Sequence, residues 1–312
     1  MSVFTPDKLI EAYAQVGSAN QRSLEALTIV LTQFRTNGVA CILLKGADVL
    51  LRLYGVRGLR PMVDTDLLVY ARDLSAIDRI LKELGYLPQI DGNPAYHHPH
   101  GDLALDLITE IWYADDQEAI WQRAVRHRLG HLPVLGMGAE DLLIYLTAYT
   151  VLYRGYFSPT FAQDLMLLMK KYLLSWDFIL EEADRRHLTT PLFHGLSYAV
   201  SHGAAAVPPH ALVRLAPTRA KDRLLASLLR RLVREEPIPD IGHFLLLMSR
   251  PRGTKWRWLR QAFFPSPAFL QYRYGSHGHM RPLRTRITRA FCLLAQAQNL
   301  SARILYRLCT GN

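Results

Sequence analysis

Two aspartates separated by one residue, Asp64 and Asp66, stand inside an otherwise apolar run over residues 62–70. The run predicts a β-strand, in which residues i and i+2 point to one face, about 6.6 Å apart along the backbone. Burying two carboxylates side by side is costly, because desolvation and mutual repulsion both disfavour their charged forms. The pattern therefore indicates cations between them, and two divalent ions about 3.5–4 Å apart would fit, as in two-metal phosphoryl-transfer sites. Taken alone, the pair also fits two carboxylates that face water near the end of a strand.

A third carboxylate would complete such a site, and Asp106 is the best candidate. It lies in the middle of a predicted strand over residues 103–112, with Leu105 and Leu107 on either side. Glu110 shares its face and is the alternative. Mg²⁺ prefers carboxylate oxygens together with substrate phosphates. We therefore expect Asp64, Asp66 and Asp106 to act as metal ligands and catalytic residues, with Mg²⁺ or Mn²⁺ as the cofactor.

Basic residues and a glycine lie where they could bind the phosphates of a nucleotide. Lys45 and Gly46 follow a short apolar run, residues 39–44, that predicts a buried strand, and they precede a predicted helix over residues 46–54. Glycine lets a phosphate approach the backbone, and the first turn of a helix offers free N–H groups and positive potential. Arg57 and Arg60 lie in the loop before the aspartates, where a guanidinium can form paired hydrogen bonds to phosphate. Each basic residue alone fits a solvated surface charge, but the series as a whole predicts a nucleotide–metal site.

The segment over residues 43–69 resembles the core motif of an uncharacterised nucleotidyltransferase family, sometimes associated with exopolysaccharide gene clusters, of the DNA polymerase β-like superfamily. The residues that carry the resemblance are Leu44, Lys45, Gly46, Tyr54, Arg60, Asp64, Asp66, Leu67, Leu68 and Val69. The resemblance implies an α+β fold, in which a polymerase-β-like core with a small mixed sheet flanked by helices is embedded in a mainly helical protein. It also implies that Asp64 and Asp66 bind metal and that Asp106 is the third acid. The chain departs from the superfamily at Lys45-Gly46, where Gly-Ser is usual, and at Ile108, where many members have histidine.

The predicted elements divide the chain into four parts. Residues 1–38 form an N-terminal helical segment, expected as a pair of helices, and residues 39–137 form the nucleotidyltransferase core. In the core, a Gly101-Asp102 turn between two extended runs predicts a hairpin. Residues 138–249 form a helical domain, in which Ser175 and Thr190 are expected to cap helices. Residues 250–312 form a basic helical tail, with a helix expected over residues 283–308.

Charge is distributed unevenly along the chain. The net charge is +10, but residues 241–312 contain basic side chains and no acidic ones. Within this tail, Lys255, Trp256, Arg257 and Trp258 alternate basic and aromatic side chains, which suits stacking on single-stranded RNA or lying at a lipid interface. The pattern also fits aromatic side chains that pack on the body while the basic ones face solvent. We expect the tail to contact an anionic acceptor or surface, namely RNA, an anionic membrane or a glycan-linked acceptor.

Composition excludes several other classes of protein. Half of the residues are hydrophobic, which argues against global disorder. The three cysteines are scattered and form no Cys-x-x-Cys, so neither a zinc ribbon nor a disulfide framework fits, and no zinc is expected. The N-terminus lacks the pattern of a secretory signal, and no apolar run approaches the roughly 20 residues of a spanning helix. The predicted location is the cytoplasm, with room for peripheral contact at a membrane through the tail.

The leading hypothesis is a metal-dependent nucleotidyltransferase. It would transfer a nucleoside monophosphate from an NTP, by default ATP, to an unknown acceptor hydroxyl and release pyrophosphate. Two alternatives stay open: a tRNA-directed, toxin-like nucleotidyltransferase that docks RNA on its tail, and a catalytically silent nucleotide-binding or scaffold protein.

Overall fold

The computed structural model describes residues 6–91, 93–203, 207–249 and 282–310. The chain divides into two compact units. The first comprises residues 1–142 with 170–173, and the second comprises residues 143–169 with 174–312. The basic and aromatic residues of the tail from Lys255 to Trp258 lie outside the described residues.

The first unit contains a mixed sheet, for which the described residues supply seven strands. The strands are β1 (Cys41–Leu44), β2 (Thr65–Val69), β3 (Leu87–Asp91), β4 (Asn93–His97), β5 (Ala104–Ile108), β6 (Val125–Leu129) and β7 (Leu132–Gly136). Their order across the sheet is β3-β4-β5-β2-β1-β7-β6. β2 runs parallel to β5 and β1 runs parallel to β7, while the other neighbours are antiparallel.

The three predicted strands all form, with shorter bounds, and the predicted hairpin is present as β4 and β5. Asn93 and Pro94 lie in β4 and pair with β3. β6 and β7 were not predicted. The sequence of β6, VRHRL, is polar because β6 is an edge strand with much of its surface exposed.

The helices of the first unit include α1 (Pro6–Thr36), α2 (Lys45–Leu53), α3 (Leu74–Glu83) and α4 (Gln117–Gln122). The expected pair of N-terminal helices is wrong, because α1 is one continuous helix of 31 residues. The helix continues through Gly17 and Asn20 without a break. α1 buries an apolar stripe at helical spacing, formed by Leu24, Leu27, Leu31 and Phe34.

The two faces of the sheet differ in burial at β5. Leu105 and Leu107 are fully buried on one face, while Ala104, Asp106 and Ile108 on the other face are only partly covered. Paired residues of neighbouring strands share a face, so the register assigns Asp66 of β2 to the same face as Asp106. The site is therefore built on the less covered face of β5.

The second unit is helical among its described residues, as predicted for residues 138–249. A helix, α5 (Ala139–Ala148), continues into a π-helical turn (Tyr149–Arg154). The helices after it are α6 (Phe161–Lys171), α7 (Trp176–Arg185), α8 (Thr189–Ser201), α9 (Pro209–Leu215), α10 (Ala220–Leu232), α11 (Ile241–Ser249) and α12 (Pro282–Thr310).

Ser175 caps α7 by accepting a hydrogen bond from the amide of Phe178 at 3.4 Å. The expected cap at Thr190 is wrong, because α8 already begins at Thr189. Among the described helices, none combines the length and the apolar character that crossing a bilayer requires.

Candidate active site

Asp66 and Asp106 lie directly opposite each other on adjacent parallel strands. On its other side, Asp66 pairs with Leu44, the last residue of β1. Adjacent strands are about 4.8 Å apart, so the two carboxylates project from neighbouring positions on one face. The sequence predicted two apolar strands that each contain an aspartate, and the register of the sheet brings those two aspartates together.

Asp66 is the most buried carboxyl of this group. Only 2% of the residue is exposed, and its Oδ1 lies 2.7 Å from the Nζ of Lys45. Its Oδ2 is buried and has no hydrogen-bond partner among the described residues. Burial raises the pKa of Asp66 to about 6; Lys45 opposes that rise, while the charges of Asp64 and Asp106 add to it. One ammonium group therefore does not compensate this carboxylate fully.

Asp64 lies near Asp66 but not in the same strand, so the expectation of two aspartates on one strand is wrong. β2 begins at Thr65, and Asp64 is exposed in the preceding loop. The reason is that the partner strand β1 ends at Leu44, opposite Asp66, where the chain turns into α2. Asp64 therefore has no strand partner on that side. Its charge still acts on Asp66.

The start of α2 faces this group of acids. Lys45, its first residue, has a left-handed backbone with φ of +40°, a conformation that costs a residue other than glycine about 1–3 kcal/mol. Leu44 at the N-cap supplies no side-chain cap for the helix N–H groups. A Cβ on Gly46 would lie 3.4 Å from the carbonyl oxygen of Asp64 and 3.6 Å from the Nη1 of Arg60. Gly46, Arg60 and Asp64 thus lie close together, and Lys45 lies next to them on Asp66.

Arg57, the other predicted phosphate-binding residue, has an exposed position in a 3-10 turn (Arg57–Leu59). It lines a cleft of about 480 Å³ together with residues of α1 and of the β6–β7 turn. A role of Arg57 in phosphate binding stays a prediction.

Within the described part of the chain, no group of three His, Cys, Asp or Glu side chains is gathered closely enough to hold a metal ion by itself. The residues present still fit a divalent ion that also takes ligands from a substrate. The buried Oδ2 of Asp66 lacks a partner, and carboxylate oxygens are hard ligands of the kind Mg²⁺ takes. Glu110, the alternative third acid, lies beyond the end of β5 and is exposed, so Asp106 is the acid that the sheet aligns with Asp66.

A second buried cluster lies on α2 and was not found from the sequence. Asp48 is fully buried, with its Oδ2 2.5 Å from Nη2 of Arg52 and its Oδ1 3.1 Å from Nε2 of His127 on β6. Gly136 on β7 makes room for the cluster, because a Cβ there would collide with the Asp48 carboxylate. The spacing of Asp48 and Arg52, four residues apart in a predicted helix, was the available signal. Nothing local pointed to His127.

Asn20 is the other residue that sequence reasoning missed. It is 1% exposed, and its side chain bonds to the loop that precedes β2. The signal for it is a position four residues before Leu24, on the same apolar stripe of α1. A polar side chain on a buried stripe needs a hydrogen-bond partner.

Comparison with known proteins gives one family and one solved structure. A family model described as an uncharacterised nucleotidyltransferase matches residues 5–202. An antigenic nucleotidyltransferase-like protein from Paracoccidioides brasiliensis is similar in structure, with a TM-score of 0.42 and 14% sequence identity. The alignment covers 62% of this chain and 93% of that one. No curated protein matches the chain. The family match extends over more than half of the sequence, and the chain therefore belongs to the uncharacterised nucleotidyltransferase family, as its motif predicted.

Proposed function

We propose that this protein transfers a nucleoside monophosphate from an NTP to an acceptor hydroxyl, with divalent metal ions held by Asp64, Asp66 and Asp106. The observation that carries the proposal is the Asp66 carboxylate. It is buried, one of its oxygens has no partner among the described residues, and it lies beside Asp106 and close to the start of α2. Two further carboxylates, Asp64 and Asp106, act on Asp66, and Lys45 is the cation that opposes them, so the group gains from an added positive charge.

The triphosphate would lie over Lys45 and Gly46. Support comes from the uncapped first turn of α2, whose N–H groups and positive potential favour an anion. Gly46 leaves its backbone accessible, and Arg60 lies close enough to donate to the same phosphates. The ammonium of Lys45, which lies beside Asp66, would contact both the phosphates and the metal-binding carboxylate.

A divalent ion held by these acids would supply positive charge that stabilises the transferred phosphate and the leaving pyrophosphate. The residues of this chain would align the reactants. Asp66, the most buried of the three acids, would hold the metal, and Asp64 would complete the set from the exposed loop. Asp106 is less buried than Asp66 and is the residue assigned to accept the proton of the acceptor hydroxyl.

The direct test is transfer of label from α-labelled NTPs in the presence of Mg²⁺ and a panel of acceptors that includes tRNA and glycan-linked substrates. The variants are Asp64→Ala, Asp66→Asn and Asp106→Asn. Glu110→Gln tests the alternative third acid, and Asp115→Asn, an exposed aspartate of the same unit, serves as the matched control.

Transfer that is lost in all three aspartate variants and kept in Glu110→Gln and Asp115→Asn would support the proposal. Equal labelling by Asp64→Ala and the parent would exclude the metal mechanism. NTP binding without transfer to any acceptor would favour the silent scaffold instead.

The class of acceptor is a separate part of the proposal. We assign acceptor binding to the basic tail, because residues 241–312 contain no acidic residue and none of the proposed metal ligands. Binding of the full chain to tRNA with a steep salt dependence would support an RNA acceptor. Binding to anionic vesicles but not to tRNA would favour an acceptor that is located at a membrane.

A further inference from the structure

One turn of α1 is bonded to the loop that carries Asp64. The Nδ2 of Asn20 donates to the carbonyl oxygens of Arg57 at 2.6 Å and Arg60 at 2.8 Å. Its Oδ1 accepts from the backbone N–H of Met62 at 3.1 Å. A single buried amide therefore holds three backbone groups of the segment between α2 and β2.

The same turn of α1 is bonded to the segment that leads to Asp106. Ser23, 4% exposed, donates from its Oγ to the carbonyl oxygen of Asp102 at 3.3 Å. The guanidinium of Arg22 forms an ion pair with the Asp102 carboxylate. Asp102 belongs to the turn that precedes β5, four residues before Asp106. Residues 20–23 thus connect the two segments that supply the acids of the site.

Close packing fixes the loop against the helix. A Cβ on Gly58 would come within 2.6 Å of the carbonyl oxygen of Tyr13 and within 2.8 Å of its ring. No side chain fits between the loop and α1 at that point, so the loop cannot slide along the helix without breaking the Asn20 bonds.

The sheet alone does not position Asp64. The β2–β5 ladder fixes Asp66 beside Asp106, but Asp64 lies one residue before β2 and has no place in that ladder. Its position depends on the loop over residues 57–62, and so does that of Arg60. The groups that hold this loop on α1 are therefore the groups that place Asp64 relative to the other two acids.

We propose that Asn20 is a positioning residue for the metal-binding carboxylates, assisted by Arg22 and Ser23. The inference rests on the proposed function, because it concerns the geometry of that same site. Asn20 touches neither substrate nor metal; it acts through the loop that carries Arg60 and Asp64. Supporting residues of this kind typically change metal affinity or activity by about 10–100-fold when they are removed.

The experiment compares Asn20→Ala with Asn37→Ala in the full-length chain. Asn37 is the matched control, because it lies just beyond the end of the same helix and its side chain donates to the carbonyl oxygen of Gln33 one turn earlier, with no bond to the loop before β2 among the described residues. Three quantities are measured below the unfolding temperature of each variant: the affinity for Mn²⁺, hydrogen exchange at the Met62 amide, and kcat and KM for the NTP with Mg²⁺.

We expect Asn20→Ala to lose Met62 protection, to bind Mn²⁺ about tenfold more weakly, and to lose kcat more than it raises KM. Asn37→Ala should match the parent in all three. Ser23→Ala, which loses one longer bond, should show a smaller drop in Mn²⁺ affinity with Met62 protection unchanged. This variant also keeps the proposal testable if Asn20→Ala does not fold.

A folded Asn20→Ala that binds Mn²⁺ and turns over as Asn37→Ala does would overturn the positioning role. A loss of Mn²⁺ affinity and of activity that is proportional to the unfolded fraction of Asn20→Ala would overturn it as well. A parent chain that neither binds Mn²⁺ nor transfers label would instead overturn the proposed function itself. The two failures are distinguishable, because one is seen in the parent and the other only in the variant.

Discussion

Two buried aspartates lie close to α2, and their surroundings differ. Asp48, inside the helix, has a nitrogen of the protein near each oxygen: Nη2 of Arg52 lies 2.5 Å from Oδ2, and Nε2 of His127 lies 3.1 Å from Oδ1, although Oδ1 makes no hydrogen bond among the described residues. Asp66, near the first residue of the helix, has Lys45 near one oxygen, and its buried Oδ2 has no hydrogen-bond partner in the described part of the chain. Asp48 is 0% exposed and Asp66 is 2% exposed, so burial alone does not separate them.

The two carboxylates differ in the groups that compensate their negative charge. Arg52 and His127 come from the protein itself, and the missing Cβ of Gly136 leaves space for the Asp48 carboxylate. Asp66 instead has two further carboxylates nearby, and their charges raise its pKa rather than lower it. Asp48 thus resembles a structural ion pair, while Asp66 resembles a site that is completed by something bound. Removing the Arg52 charge beside Asp48 should therefore lower the stability of the fold, while removing the charge of Asp66 should raise it.

The largest expected effect is on activity. Asp66→Asn keeps the shape of the side chain but removes its charge, and we expect transfer to fall by about 10³-fold or more, since metal-assisted charge stabilisation amounts to several kcal/mol. The measurement is the initial rate with saturating NTP and Mg²⁺. Asp115→Asn should keep the rate of the parent. A rate within threefold of the parent would mean that Asp66 is a structural carboxylate like Asp48.

The next effect is on stability at the other aspartate. Arg52→Met should lower the free energy of unfolding by about 3–5 kcal/mol, because it leaves Asp48 buried without its guanidinium partner. Urea denaturation provides the measurement. Lys82→Met is the control, since Lys82 forms an exposed pair with Asp78 at the same i,i+4 spacing and should cost about 1 kcal/mol or less. Similar losses in the two variants would remove the distinction between a structural and a surface pair.

Asp66→Asn should also stabilise the fold, in contrast to Arg52→Met. The pKa of Asp66 is about 6 in the folded protein against 3.8 for an ordinary aspartate, so the folded state holds the proton more tightly than the unfolded state. The parent therefore loses stability relative to the variant as pH rises from about 4 through about 6. At neutral pH in EDTA we expect the variant to be more stable by roughly 3 kcal/mol, and below about pH 4 the two should agree. A variant that is less stable at neutral pH would show that Lys45 compensates Asp66 fully.

Much of the site was predictable because its signal is local. A charge inside an apolar strand contradicts its own pattern, and Asp66 and Asp106 both do so. Lys45 and Gly46 were found from a second local signal, since they lie between a predicted strand and a predicted helix whose first turn can bind a phosphate. Three of the strands and most helices followed from apolar spacing in the same way.

The remaining parts depend on contacts that are distant in sequence. Asn20 bonds to groups 37 to 42 residues away, and Ser23 bonds to a carbonyl 79 residues away. No pattern within a window of the sequence encodes such partners. The same holds for β6, whose polar sequence forms a strand only because β7 pairs with it. The expected break in α1 was wrong, because the helix continues through Asn20, whose side chain bonds to backbone groups 37 to 42 residues away.

The smallest effects compare two glycines, one at each aspartate. At Gly136, a Cβ would collide with the Asp48 carboxylate and the His127 ring, so Gly136→Ala should cost about 1–3 kcal/mol of unfolding free energy. At Gly46, a Cβ would meet its neighbours at ordinary distances of 3.4 to 3.6 Å, so Gly46→Ala should leave stability unchanged or raise it by up to about 1 kcal/mol. The new methyl group would still cover the backbone that the triphosphate is proposed to approach. We expect the KM for the NTP to rise by about tenfold, equivalent to roughly 1.4 kcal/mol, with an unfolding curve like that of the parent. An unchanged KM would place the phosphates elsewhere, because a methyl group over the proposed site would then not have hindered the binding of the NTP.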